Sequence, residues 1–142
     1  MEILEIKTLE QLELCYPVLK ELRTELSFKD FTSLYEEAKK RDSYKLVGIF
    51  KNSRCIAVMG YRLLFDFVHG KHLYVDDLVV TLSVRSTGIG RTLLQYAEKS
   101  AKELGCKGLR LCTGVNNDQG KNFYERNGWQ AKAIAYKKMV IS

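Results

Sequence analysis

Near residue 44 the apolar pattern of this chain changes period, and that change limits its fold more than any other feature. Before it, apolar residues recur every three or four positions. Leu12, Cys15, Leu19, Leu22 and Leu26 make one such face; Phe28, Phe31, Leu34, Tyr35 and Ala38 make a second. Two amphipathic helices are predicted. Thr8 and Gln11 form a capping-box pair ahead of the first, Ser27 and Asp30 offer caps for the second, and Pro17 is expected to kink or divide the first. After residue 44 alternation takes over. Residues 44–51, 54–67 and 72–80 read as strands separated by Asn52-Ser53 and His69-Gly70, which predicts an antiparallel meander. Residues 2–7 add a short strand. Downstream, Ile89, Leu93, Ala97, Ala101 and Leu104 make a long helical face ending at Gly105, a C-terminal cap glycine. Residues 108–113 form a strand reached through that helix, so it can lie parallel to the strand before it. A short helix near 118–127 and a last strand near 133–141 complete an α+β chain: a mixed, mostly antiparallel central sheet flanked by helices.

With 142 residues, 46% of them hydrophobic, the chain is expected to form a single domain over residues 1–142 and to bury roughly two-thirds of its unfolded surface. One proline and 28% charged residues argue against disorder. No run approaches the roughly 18 apolar residues of a membrane span, and the opening MEILEIKTLEQLEL lacks the pattern of a signal peptide. A soluble, cytoplasmic protein with no membrane partner is expected. Cys15, Cys55, Cys106 and Cys112 lie at wide, unrelated spacings with only His69 and His72 to join them, so no metal site is predicted and the thiols read as reduced packing residues. The net charge is +6, of which residues 72–142 supply +5. That excess suits a solvated surface or an anionic ligand; without a nucleic-acid motif it does not indicate a nucleic-acid partner.

The most informative segment is LVVTLSVRSTGIGRTLL, residues 78–94. A strand runs into a tight loop holding Gly88 and Gly90, and a helix begins there. The first turn of a helix leaves amide N–H groups without partners, and the helix dipole places partial positive charge beside them. The result is an anion site suited to phosphate, with Arg85 and Arg91 adding full charges. The dinucleotide fingerprint requires a glycine where Leu93 stands, and the triphosphatase loop requires Gly-Lys-Ser/Thr, so neither applies.

Arg85-x-x-Gly88-x-Gly90, after the strand Asp76-Asp77-Leu78-Val79-Val80, resembles the acetyl-CoA loop of the GNAT family of N-acetyltransferases. A second signature follows in register: Asn117-x-x-Gly120-x-x-Phe123-Tyr124-x-x-x-Gly128-Trp129. This chain departs from the family pattern at Leu82 (commonly proline), Ser86 (glycine), Gly120 (alanine) and Trp129 (phenylalanine or tyrosine). The resemblance covers residues 44–141 in motif order and, more loosely, the N-terminal helices.

The resemblance implies an acyl-CoA N-acyltransferase-like fold, in which the strand before the loop and the strand after the helix form a splayed parallel pair. Acetyl-CoA is then the co-substrate. Its pantetheine arm is expected against Leu78, Val79 and Val80, and its pyrophosphate on Arg85, Ser86, Thr87, Gly88, Ile89, Gly90 and Arg91, with Asn117 donating a hydrogen bond to it or else capping the following helix. The implied reaction is direct attack of a primary amine on the thioester. Tyr124 is the candidate donor of a proton to the departing sulfur, or else a core aromatic. Asp76 and Asp77 are candidates for contact with the amine and for its base, or else structural ion pairs. From a regular strand only one of them can face the acceptor, and acidic residues there favour a cationic amine. The acceptor is read as a small-molecule or peptide amine. Pairing of the chain with a second copy stays open, and a non-catalytic acyl-CoA-binding module of the same fold is the competing reading.

Overall fold

The computed structural model describes residues 1–141. They divide into two compact units, the first running from Met1 to Leu111 and the second from Cys112 onward.

In the first unit the change of period at residue 44 is the change from helices to sheet. Strand β1 (Glu2–Glu5) leads into helices α1 (Leu9–Leu22) and α2 (Phe28–Asp42), followed by β2 (Lys45–Lys51), β3 (Arg54–Asp66) and β4 (Gly70–Val80). A single 3-10 turn (Leu82–Val84) precedes α3 (Ile89–Glu103), and β5 (Gly108–Leu111) closes the unit. The five strands lie in the order β1-β2-β3-β4-β5. Neighbours are antiparallel except β4 and β5, which are parallel. The sheet is therefore mixed, with the parallel pair at its far edge.

Each face carries its own core. Leu12, Cys15, Val18 and Leu19 of α1, with Phe31 and Tyr35 of α2, pack on Leu46, Val58 and Val79. On the other face Ile89, Leu93, Ala97 and Ala101 of α3 pack on Val47, Ile49, Met59, Leu73 and Val75. The helix starts follow the residues expected. Thr8 accepts from the Gln11 amide while Gln11 caps back, and Ser27 accepts from the Asp30 amide. Of the two outcomes expected at Pro17, a kink or a division, the helix is not divided: it runs through the proline. Pro17 lies on the exposed side together with Glu13, whose carbonyl loses a helical partner and is left to water, so the cost of the missing N–H stays outside the core.

The second unit contains α4 (Asp118–Arg126). Its end is a complete Schellman motif. Gly128, at φ +87°, lets the Trp129 amide return to the Tyr124 carbonyl at 3.0 Å and its own amide to Glu125 at 3.1 Å. Residues 130–141 form no helix or strand. The strand expected near 133–141 is thus absent among the described residues: Ile134, Tyr136, Val140 and Ile141 have strand-forming character, but a strand exists only against a neighbour. Among the described residues no helix is long and apolar enough to cross a membrane.

Candidate active site

Gly60 pairs with Asp77, yet the next residue, Tyr61, pairs with Val75. Asp76 is therefore an extra residue on β4, a β-bulge. Its effect shows in the core, where Val75 and Leu78, three positions apart, pack on the same α3 side. Asp76 and Asp77 consequently both turn toward the α1–α2 face. Strict alternation predicts one inward-facing aspartate; the bulge delivers two.

Both carboxylates are paired. Asp76 accepts from Arg62 in fork geometry, Nε to Oδ2 at 2.9 Å and a terminal nitrogen to Oδ1 at 3.0 Å. Burial nevertheless pushes its carboxyl above the ordinary value, against the pull of Arg62. Asp77 accepts from Arg23, at the end of α1, at 3.0 Å, and from the Tyr44 hydroxyl at 2.8 Å. Burial first, and Asp77 second, hold the Tyr44 phenol well above its usual range. The Tyr44 hydroxyl lies over Gly60, where a Cβ would collide with it, so only glycine leaves room for this arrangement.

Beyond the bulge, β4 loses its outer neighbour. The parallel pairing runs from His72 with Gly108 to Val75 with Leu111 and stops, while β4 continues to Val80. The Thr81 amide donates to the Ile56 carbonyl at 2.8 Å. Counting back in twos, Val79 and Asp77 lie in the ladder with β3, and the main-chain groups of Leu78 and Val80 point to the open edge. Val79 also buries its side chain on the α1 side, leaving 5% exposed. Of the three strand residues expected near a cofactor, Leu78 and Val80 present edge groups and Val79 does not.

The loop that follows is held from its entrance. Glu21 of α1 accepts from the Thr81 hydroxyl at 2.6 Å, the Leu82 amide at 2.9 Å and Arg85 at 3.3 Å. Arg85 also donates from Nε to the Val80 carbonyl at 2.8 Å. Ser86 (φ +63°) and Gly88 (φ +91°) then take left-handed conformations. For a non-glycine residue such as Ser86 this costs about 1 kcal/mol. Successive N–H groups in such a turn converge on one point, as in an anion nest. The first bond of α3 is Thr92 to Gly88, and the amides of Ser86, Thr87, Gly88, Ile89, Gly90 and Arg91 meet no acceptor among the described residues.

In the second unit Asn117 caps α4. Its Oδ1 accepts from the Gly120 amide at 3.0 Å and its Nδ2 donates to Thr113 Oγ1 at 2.9 Å. A Cβ at Gly120 would meet that amide group, which accounts for glycine where the family commonly has alanine. Tyr124 stands edge-on to Phe123 and Trp129, with ring centroids 5.1 and 6.1 Å apart. Burial raises its phenol above the ordinary value, and its hydroxyl has no hydrogen-bond partner among the described residues.

Arg23, Arg62, Tyr44 and Glu21 were not singled out by the sequence. Register counted from the turn at residues 67–69 would have set β3 against β4 as far as Tyr61 with Val75; the bulge shifts every pair beyond it. His72 is buried, at 1% exposed. With Asp66 and His69 it brings three potential ligand atoms within 4.8 Å. The Arg110 Nε donates to His72 Nε2 at 3.1 Å, which engages that ring nitrogen.

Past its parallel partner, β4 thus presents an open edge that leads into an amide-lined loop. Residues 6–129 match the model of the acetyltransferase (GNAT) family, and the chain belongs to that family. An uncharacterized N-acetyltransferase of Bacillus subtilis strain 168, YhdJ, is 31% identical over 126 residues, 88% of this chain and 89% of that one. The aminoalkylphosphonate N-acetyltransferase of Salmonella typhimurium strain LT2 is 24% identical, over 63% of this chain and 59% of its own. The fold is shared with aminoglycoside N-acetyltransferase AAC(6')-Iy in complex with CoA: TM-score 0.84 and 17% identity over 96% of this chain and 93% of that one.

Proposed function

We propose that the chain transfers the acetyl group of acetyl-CoA to the primary amine of a small molecule. One observation carries the reading: an open strand edge at Leu78 and Val80 continues directly into unengaged amides at residues 86–91. An edge suits the amide-bearing arm of the coenzyme as an added strand, and a nest of N–H groups at a helix start suits its diphosphate. Val79 keeps that edge in register with β3. Arg91 and the second hydrogen of the Asn117 amide add polar contacts, and Arg85 can exchange the Val80 carbonyl for phosphate. Acetyl-CoA, when bound, supplies the thioester. Asp76, whose affinity for protons is raised, takes the proton from the ammonium, directly or through water, while Asp77 holds Arg23 and Tyr44 against the same face. Tyr124 keeps a proton on its hydroxyl for the sulfur that leaves.

Calorimetry with CoA tests the cradle. The wild-type protein binds, and Gly88→Val, which sets a branched side chain at φ +91° in the nest, weakens binding at least ~10-fold by blocking approach to the main chain. Unchanged affinity in that variant refutes the assignment. The competing reading, a coenzyme-binding module without turnover, draws on the ion pairing of both aspartates; it predicts binding with no thiol release across an amine panel.

A cytoplasmic setting supplies the coenzyme. We also propose a homodimer, because Ile134, Tyr136, Val140 and Ile141 are each at least 71% exposed in a segment without a strand neighbour, and apolar surface of that kind favours a partner. Light scattering should give twice the chain mass, and loss of that mass on deleting residues 133–141; a monomer refutes the dimer.

A further inference from the structure

We infer that the amine acceptor also carries an acid group, a carboxylate or phosphonate, and that Arg110 on β5 receives it. The inference rests on the transferase reading above and specifies its substrate class.

Asp76 and Asp77, the residues that would draw a plain cation to β4, are already neutralised by Arg62 and Arg23. What remains on the same face is positive. Strand pairing sets Arg62 beside Tyr74 and Tyr74 beside Arg110, with the two guanidinium carbons 5.6 and 5.4 Å from the Tyr74 ring centroid. Arg62 is spent on Asp76. Arg110 is held differently: its Nε donates to His72 Nε2 at 3.1 Å. Nδ1 of His72 lies 3.0 Å from the Gly70 carbonyl, to which it donates, so Nε2 is the acceptor of a neutral ring. A neutral imidazole orients a guanidinium without cancelling its charge.

Among the described residues one carboxylate lies within 4.0 Å of Arg110. It is Asp66, at 3.9 Å, and it already accepts from the amides of Val68 and His69 and from the His69 ring. The Arg110 side chain is 37% exposed, which leaves terminal N–H groups for a ligand. Its place in the sheet matters too. Arg110 precedes Leu111, the last residue paired with β4 before that strand runs on alone, so its fork stands one row from the open edge. A planar guanidinium matches the two oxygens of an acid group. The acceptor that fits is a small zwitterion, with its amine toward the bulge and its acid on Arg110.

The test compares ω-amino acids from glycine to 4-aminobutyrate, D- and L-alanine, and aminomethyl- and 2-aminoethylphosphonate with their uncharged counterparts (carboxamides, or phosphonate diesters). Thiol release gives kcat and KM, and calorimetry on the CoA-loaded protein gives affinity. The best acid should exceed its neutral counterpart at least ~10-fold in kcat/KM. Arg110→Gln should abolish that preference through KM while leaving the neutral amines unchanged, and Arg110→Lys, which keeps the charge, should recover part of it. Equal use of acids and neutral counterparts by the wild-type protein, or equal losses for both in Arg110→Gln, overturns the inference and leaves the transferase standing. Arg110-dependent binding of the acids with no acetyl transfer upholds the subsite and overturns the transferase. The acid–neutral comparison on the unaltered protein decides the matter even if Arg110→Gln does not fold.

Discussion

Two tyrosines with raised phenol pKa values are set to opposite uses by their neighbours. Tyr44 is locked: its hydroxyl donates to Asp77 and fills the space over Gly60. Tyr124 is shielded less than Tyr44, beside the rings of Phe123 and Trp129, and its hydroxyl has no partner among the described residues. A phenol raised above the ordinary value of 10.0 keeps its proton throughout the neutral range and gives it up only in more alkaline solution. Tyr124→Phe should therefore lower kcat by roughly 100-fold, the low end for loss of a positioned proton donor, with CoA affinity within about twofold. In the wild-type protein kcat should stay level through neutrality and fall only above pH 10.0 as the donor ionises. The variant should lack that fall. A pH–rate profile unchanged by the substitution removes Tyr124 from the chemistry. The short helix that carries Tyr124 was legible because its cap and spacing are local. The pairing of Asp76 with Arg62 was not, because their contact spans two strands and depends on a bulge that no residue type announces.

Among the elements, the end of α4 shows how a signature glycine serves the tyrosine four positions before it. Gly128 adopts φ +87° so that Trp129 can turn back, its amide onto the Tyr124 carbonyl and its ring against the Tyr124 ring. Gly128→Ala keeps the space, since no heavy atom lies within 4 Å of the added Cβ, but forces alanine into the left-handed region at a cost of about 1 kcal/mol. Chemical denaturation should register that loss. Thiol-release kinetics should show kcat reduced more than KM for acetyl-CoA, since the cap sets the Tyr124 ring and not the phosphate loop. No change in either measurement contradicts the role given to the cap. Most elements were legible for the same reason as this one: caps, turns and periods act over a few residues. Whether Pro17 would divide α1 and whether 133–141 would form a strand were not legible, because each outcome turns on something distant, namely which helix face meets water and whether a strand has a neighbour.

At the scale of the whole molecule the charge of +6 bears on encounter rather than fold. Coenzyme A carries about four negative charges at neutral pH, and a cation of this size attracts such an anion over a Debye length of about 8 Å at physiological salt. The second half of the sequence holds +5 of that charge and also most of the proposed cradle, including Arg85 and Arg91. Raising the ionic strength should therefore raise KM for acetyl-CoA. A zwitterionic acceptor is neutral overall and feels little long-range attraction, so its KM should change much less over the same range. A cationic amine would respond in the other direction, its KM falling as salt screens repulsion from a positive protein. Salt titration of the two KM values, at fixed pH and with each substrate varied in turn, separates these cases without any substitution. A KM for acetyl-CoA indifferent to salt would mean that the surplus charge plays no part in capture and that the local amides at residues 86–91 act alone.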